Sequence, residues 1–261
     1  MYESDWLTRI KSNKNIKLRL ICFAYAGGSA RVFEPLSKLD FEDIEVIAVQ
    51  LPGRGSRIIE PFLNNISDVV NEFYPVLNGF LDRPYILFGH SLGAKIAHAC
   101  IRKIAENGAL LPSNVVLSGS AAPHVSLRQN PVYKQSDAGF IEQLRLMGGT
   151  PDEILANDEI MQILLPVLRA DFQISETYKE PIPKKKIDCP YSLWIGEDDQ
   201  SVTLESAKAW SEHFSGQADL TQFPGGHMYI ESEMGSVLSA LSTMVQTQLN
   251  EIDQLPLSQV A

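Results

Sequence analysis

A serine, a histidine and an acid can together make a nucleophile at neutral pH, and this chain carries the three in a telling order. The serine is Ser91, within Gly89-His90-Ser91-Leu92-Gly93. Before it runs Tyr85-Ile86-Leu87-Phe88, an apolar stretch long enough for one buried strand. After it, residues 94–106 read as a helix, with Ile96, Ala97, Cys100, Ile101 and Ile104 apolar at helical spacing and Asn107-Gly108 as the stop. G-x-S-x-G between strand and helix is a turn so sharp that the serine backbone is strained. Glycines must flank it, because a side chain two residues away would collide with neighbouring backbone. The turn lifts Oγ above the sheet edge and aims a helix N-terminus at negative charge forming nearby. By average usage, the pattern arises by chance in about one chain of this length in ten. Its position between strand and helix is far rarer.

Serine at its free pKa is a poor nucleophile and needs a base, which in turn needs an acid to hold its tautomer. His227 follows a late strand behind Gly225-Gly226. The other histidines are worse placed: His90 is in the turn itself, His98 on the next helix, His124 at the start of an irregular stretch and His213 at a helix end. The acid belongs in Gly196-Glu197-Asp198-Asp199-Gln200, after another strand. An acid three residues beyond the strand-ending glycine is Asp199; Asp198 stays open as the alternative. Ser91, Asp199 and His227 then keep the order serine, acid, histidine of the α/β-hydrolase fold. The oxyanion donors fall to the backbone N–H of Leu92, after the nucleophile, and of Ala26, in the small-residue loop 24–30 that follows the first strand.

The elements that must position these residues alternate along the chain. Strands are expected at Leu18–Phe23, Ile44–Val49, 85–88, 114–117, 191–195 and 220–223, with helices from about Arg31, over 66–81 (broken or kinked at Pro75), 94–106, 204–214 and up to about Leu249. This is an α/β chain with a mostly parallel sheet and helices on both faces, read as a single domain over 1–261. From 124 to 182 the alternation lapses. Two helices, Asp137–Met147 (N-capped by Ser136) and 158–172, form either a lid over the site or a completion of the core. The loop Gln50-Leu51-Pro52-Gly53-Arg54-Gly55-Ser56-Arg57 lies at a strand's C-terminal edge, and its arginines either steer an anion or are solvated. Ser118 and Ser120 read as loop residues, and residues 251–261 as a frayed tail.

Composition narrows the function classes. With 44 % hydrophobic and 21 % charged residues the 261-residue chain can bury a sizeable core, and a net charge of −10 argues against nucleic acid or an anionic membrane as partner. Lys184-Lys185-Lys186 reads as a solvated loop. Cys22, Cys100 and Cys189 are an odd number without C-x-x-C spacing, so free, buried thiols are expected for Cys22 and Cys100. Neither a signal segment nor a membrane span stands out, which fits a reduced cytoplasmic enzyme.

The chain resembles the stand-alone (type II) thioesterases of nonribosomal peptide and polyketide synthesis. The blocks are Phe23-Ala24-Tyr25-Ala26-Gly27-Gly28, Gln50-Leu51-Pro52-Gly53-Arg54, Gly89-His90-Ser91-Leu92-Gly93, Leu144-Arg145 with Gly148-Gly149-Thr150-Pro151, Leu165-Pro166-Val167-Leu168-Arg169-Ala170-Asp171-Phe172, and Phe223-Pro224-Gly225-Gly226-His227. Ala24 departs from the pattern, standing where many relatives have proline. The resemblance implies hydrolysis of acyl groups from the phosphopantetheine arm of acyl or peptidyl carrier proteins, with no metal and no cofactor, by a monomer. It implies a small, weak carrier interface, since acidic carriers gain no long-range attraction from this chain. Medium-chain thioesterases of fatty-acid synthesis share much of the pattern. A small-ester esterase and a non-catalytic synthase scaffold are the remaining readings; a cyclising terminal domain is disfavoured, no carrier segment preceding the hydrolase region.

Overall fold

The computed structural model describes residues 4–126, 130–216 and 218–254. Seven strands form one sheet: β1 Leu7–Lys11, β2 Leu18–Phe23, β3 Ile44–Val49, β4 Tyr85–His90, β5 Asn114–Ser118, β6 Tyr191–Gly196 and β7 Ala218–Phe223. Their order is β1-β3-β2-β4-β5-β6-β7, parallel except for β1, which pairs antiparallel with β3. The polar N-terminal stretch concealed β1 in the sequence: it is an edge strand, only partly buried, with no continuous apolar run. The central strands β2 to β6 are buried along their whole length, as helix-covered parallel strands must be.

The helices are α1 Ile66–Asn78, α2 Leu92–Glu106, α3 Asp137–Met147, α4 Asp152–Leu155, α5 Asp158–Thr177, α6 Leu204–Lys208, α7 Tyr229–Ser232 and α8 Met234–Gln254. Alternate β2 side chains serve opposite faces. Ile21 and Phe23 pack with α1 and α2; Leu18, Leu20 and Cys22 pack with α8 and the 3-10 helix Ala30–Lys38. Pro75 and Pro166 sit inside α1 and α5, which continue past them, and α5 runs on to Thr177, beyond the expected end at 172. Ser136 caps α3 as expected, accepting from the Gly139 N–H at 3.3 Å. Cys22, Cys100 and Cys189 are all buried and free. Most of the expected tail lies outside the described residues.

The layer between β5 and β6 divides between two apolar clusters. Ile174 and Tyr178 join the main core, whereas Phe140, Leu144, Leu155, Met161 and Leu168 close a separate apolar cluster above the sheet edge. No helix among the described residues is long and apolar enough to cross a membrane.

Chain direction across the sheet reverses between β2 and β4, so the loops leaving these strands open a crevice at their carboxyl ends. The crevice is held tight by backbone contact. A Cβ on Gly93 would stand 2.0 Å from the Phe23 carbonyl oxygen, and one on Gly89 would stand 2.3 Å from the Gly93 carbonyl oxygen. Neither neighbour is a side chain that can swing away. Gly93→Ala is therefore expected to cost about 3 kcal/mol or more, a Tm fall of roughly 6–12 °C by calorimetry.

Candidate active site

Strand β4 enters helix α2 through Ser91, whose φ of 55° and ψ of −111° make it the one non-glycine residue with positive φ among the described residues. That conformation costs of order 1–3 kcal/mol and persists only where the surroundings impose it. Here the Ser91 N–H donates to the Ser118 carbonyl oxygen at 2.8 Å, and the two glycines admit the crossing. The Ser91 hydroxyl lies 3.0 Å from His227 Nε2, and His227 Nδ1 lies 2.7 Å from Asp199 Oδ2. Three loops at one sheet edge, after β4, β6 and β7, bring these atoms together.

Asp198 is exposed and points its backbone N–H at the Gly225 carbonyl (2.9 Å); Asp199 is buried beneath the histidine. Asp199 Oδ1 accepts three hydrogen bonds, from Ser201 N–H (2.7 Å), Ser201 O–H (2.6 Å) and Val202 N–H (3.0 Å). Burial raises the pKa of Asp199, but the His227 bond and charge and the two Ser201 bonds outweigh it, and the net shift is downward. The carboxylate thus stays ionised at neutral pH and favours the Nδ1–H tautomer, which leaves Nε2 free to accept the Ser91 proton. Ser201 Oγ also lies 3.1 Å from His227 Nδ1. Nothing in its sequence context marked this residue; it matters because the turn after Asp199 folds back onto the carboxylate.

Two other residues gain meaning only here. Ser118 ends β5 rather than lying in a loop, and its hydroxyl bonds His90 Nδ1 (2.7 Å) and the Tyr229 hydroxyl. His90 is fully buried, 5.3 Å from His227 between ring centroids; burial, then the neighbouring imidazole, pushes its pKa down to about 3. It is neutral packing behind the site and adds no fixed charge beside His227.

The loop after β2 is fastened from above. Asp171 on α5 accepts the Gly27 N–H (2.6 Å) and pairs with Arg54, and the Gly28 N–H turns back to the Tyr25 carbonyl (3.0 Å). Ala26, next to these two engaged residues, lines the cavity beside Ser91. Leu92 is the first residue of α2, whose opening N–H groups have no helical acceptor. Arg54 and Arg57 of the 50–57 loop are neither solvated nor free to steer an incoming anion, being paired with carboxylates of the chain itself. Arg54 pairs with Asp171, while Arg57 binds Glu60 (2.6 and 2.8 Å) and lies 4.3 Å over the Trp6 ring.

Above Ser91 opens a cavity of about 350 Å³. Val125, Leu144, Met147, Leu168, Phe172 and Met228 form its apolar wall. That volume and lining suit a chain-like organic group, with the strained serine at one side.

A family model described as a thioesterase domain matches residues 18–245. The chain belongs to the thioesterase family. Among its relatives, the gramicidin S biosynthesis protein GrsT of Aneurinibacillus migulanus is 34 % identical over 87 % of this chain and 88 % of its own. The medium-chain S-acyl fatty acid synthase thioesterase of Anas platyrhynchos is 32 % identical over 86 % of this chain and 90 % of its own. The solved structure of the type II thioesterase BorB, from the borrelidin biosynthetic cluster, superposes with a TM-score of 0.83. It covers 93 % of this chain and 98 % of its own, at 32 % identity. This thioesterase shares with BorB the α/β-hydrolase fold across nearly its whole length.

The Arg54–Asp171 pair is almost fully buried, with side chains 5 % and 0 % exposed. Removing one partner leaves the other charge stranded. Asp171→Ala is expected to destabilise the thioesterase by about 3–5 kcal/mol in urea titrations, and Arg54→Met with Asp171→Leu together by less than Asp171→Ala alone.

Proposed function

We propose that the thioesterase hydrolyses acyl groups from the phosphopantetheine arm of carrier proteins, clearing wrongly loaded domains of a nonribosomal peptide or polyketide synthase. One observation carries the reading: a hydrogen-bonded Ser91–His227–Asp199 series opening into a cavity with an apolar wall. Relatives named for peptide antibiotic and polyketide clusters support the synthase setting. In this reading α3 to α5 act as a lid, and the enzyme works as a cytoplasmic monomer with a small carrier interface beside that lid.

Ser91 is the nucleophile. As its oxygen bonds the thioester carbonyl carbon, its proton passes to His227 Nε2, and Asp199 stabilises the imidazolium through Nδ1–H. Charge gathers on the carbonyl oxygen, where the N–H groups of Ala26 and Leu92 are our assigned donors. The carbon–sulfur bond then breaks, and the leaving thiolate takes the proton from His227. Water, deprotonated by His227, attacks the acyl-serine ester; the tetrahedral species collapses to release the acid and return the proton to Ser91. The duck medium-chain relative favours a second reading, in which the acyl carrier belongs to fatty-acid synthesis.

A panel of acyl groups on carrier proteins from both systems, followed by intact-protein mass spectrometry, tests the proposal. Hydrolysis of carrier-bound acyl groups with kcat/KM well above that for nitrophenyl esters is expected; preference for the free esters overturns it. Ser91→Ala should lower turnover by about 10⁴–10⁶ and Asp199→Asn by about 10⁴, while Asp198→Asn should stay within about threefold of the parent.

A further inference from the structure

The cavity is not apolar throughout. Lys95 stands one turn along α2 from Ser91, on the same face of the helix, and lines the cavity with it. Its ammonium donates to the Ser175 carbonyl oxygen of α5 at 2.7 Å. An ammonium carries three N–H donors, and among the described residues this is its one hydrogen bond. The groups facing it are known. Glu176 comes from α5, Lys179 from just past its C-terminus, Ser126 from the loop after β5, and Ser91 and His227 from the catalytic side. Glu176 does not neutralise the ammonium by direct contact, because its two carboxylate oxygens accept the Val132 and Tyr133 N–H groups at 3.0 and 3.1 Å. Two cations against one engaged carboxylate leave this end of the cavity positive.

Accepting the thioesterase reading above, we propose that Lys95 determines specificity by binding a carboxylate at the far end of the acyl group. The favoured substrates are then thioesters of short dicarboxylic acids rather than of fatty acids of the same length. The spacing supports this. Residues four apart on a helix hold their Cβ atoms about 5–6 Å apart, so the ammonium lies within a short acyl chain's reach of the carbonyl on Ser91. The phosphate of the carrier arm, at the opposite end of a long tether from the sulfur, lies much farther from the nucleophile. Desolvating an ammonium is costly, and a methyl group entering the cavity adds to that cost. A carboxylate relieves it with charge-assisted hydrogen bonds. Burial, and then Lys179, pushes the Lys95 pKa down to about 8, with Glu176 opposing. The cation, and with it the preference, is present below that pH and lost above it.

The test compares adipoyl, hexanoyl and ω-aminohexanoyl groups on one carrier protein. The readout is the adipoyl-to-hexanoyl ratio of kcat/KM, in which the titration of His227 and any general loosening of α5 cancel. In the parent enzyme this ratio should be about ten or more at pH 7 and fall as pH rises through about 8, with the ω-amino substrate the poorest. Lys95→Met and Lys95→Gln should each lower the ratio at least about tenfold, whereas Lys95→Arg should keep it within about threefold. A parent ratio near one overturns the inference and leaves the thioesterase reading standing. So does an equal loss on both substrates in the Met and Gln variants, which would assign the ammonium to the carrier arm or to holding the end of α5. No hydrolysis of any carrier-bound acyl group would overturn the thioesterase reading itself, and this inference with it.

Discussion

Backbone touching backbone at the start of α2 is the constraint on which the site depends. Gly93 lies so close to the Phe23 carbonyl, and Gly89 to the Gly93 carbonyl, that no side chain fits at either place. This contact forces Ser91 into its strained conformation and brings the end of β4 against the end of β2. Ser91 and the loop carrying Ala26 are therefore brought side by side by backbone packing alone. Strain here is part of the preorganisation of the site, and the buried sheet sustains it.

Charge is placed around that point with equal economy. Asp199 receives donors on both oxygens and remains an anion despite its burial. His90, the imidazole nearest His227, is kept neutral by the apolar core, so no second cation opposes protonation of His227. Two cations, Lys95 and Lys179, line the cavity together with Ser91 and His227.

The helices between β5 and β6 reconcile two demands. Their C-terminal part is core: Ile174 is buried with the sheet, and Asp171 ties α5 to the loops after β2 and β3. The remainder packs mainly on itself over the cavity, through Phe140, Leu144 and Met161. That cluster is closed separately from the main core, and in the lid reading proposed above it is this part that covers the substrate cavity.

The strands β2 to β7 as segments of the chain, the sharp turn at Ser91, and the positions of the histidine and the acidic loop after strands were legible in the amino-acid sequence, because each is a local pattern. Apolar runs make strands, 3.6-residue spacing makes helices, and glycines mark turns where backbone comes close. Even Asp199 over Asp198 followed from counting residues after a strand-ending glycine. Strand β1 was not legible, since an edge strand needs only a neighbour's hydrogen bonds and no apolar run. Nor were Ser118, Tyr229, Ser201 or the Asp171–Arg54 pair, whose partners lie 2 to 117 residues away and are chosen by packing. Whether the arginines of the 50–57 loop met solvent or a carboxylate, and whether Lys95 faced a cavity or water, depended on where α5 came to rest. Local sequence determines which elements form and which chemistry they carry. Only tertiary structure decides which side chains lose their water to one another, because that depends on surfaces brought together from distant parts of the chain.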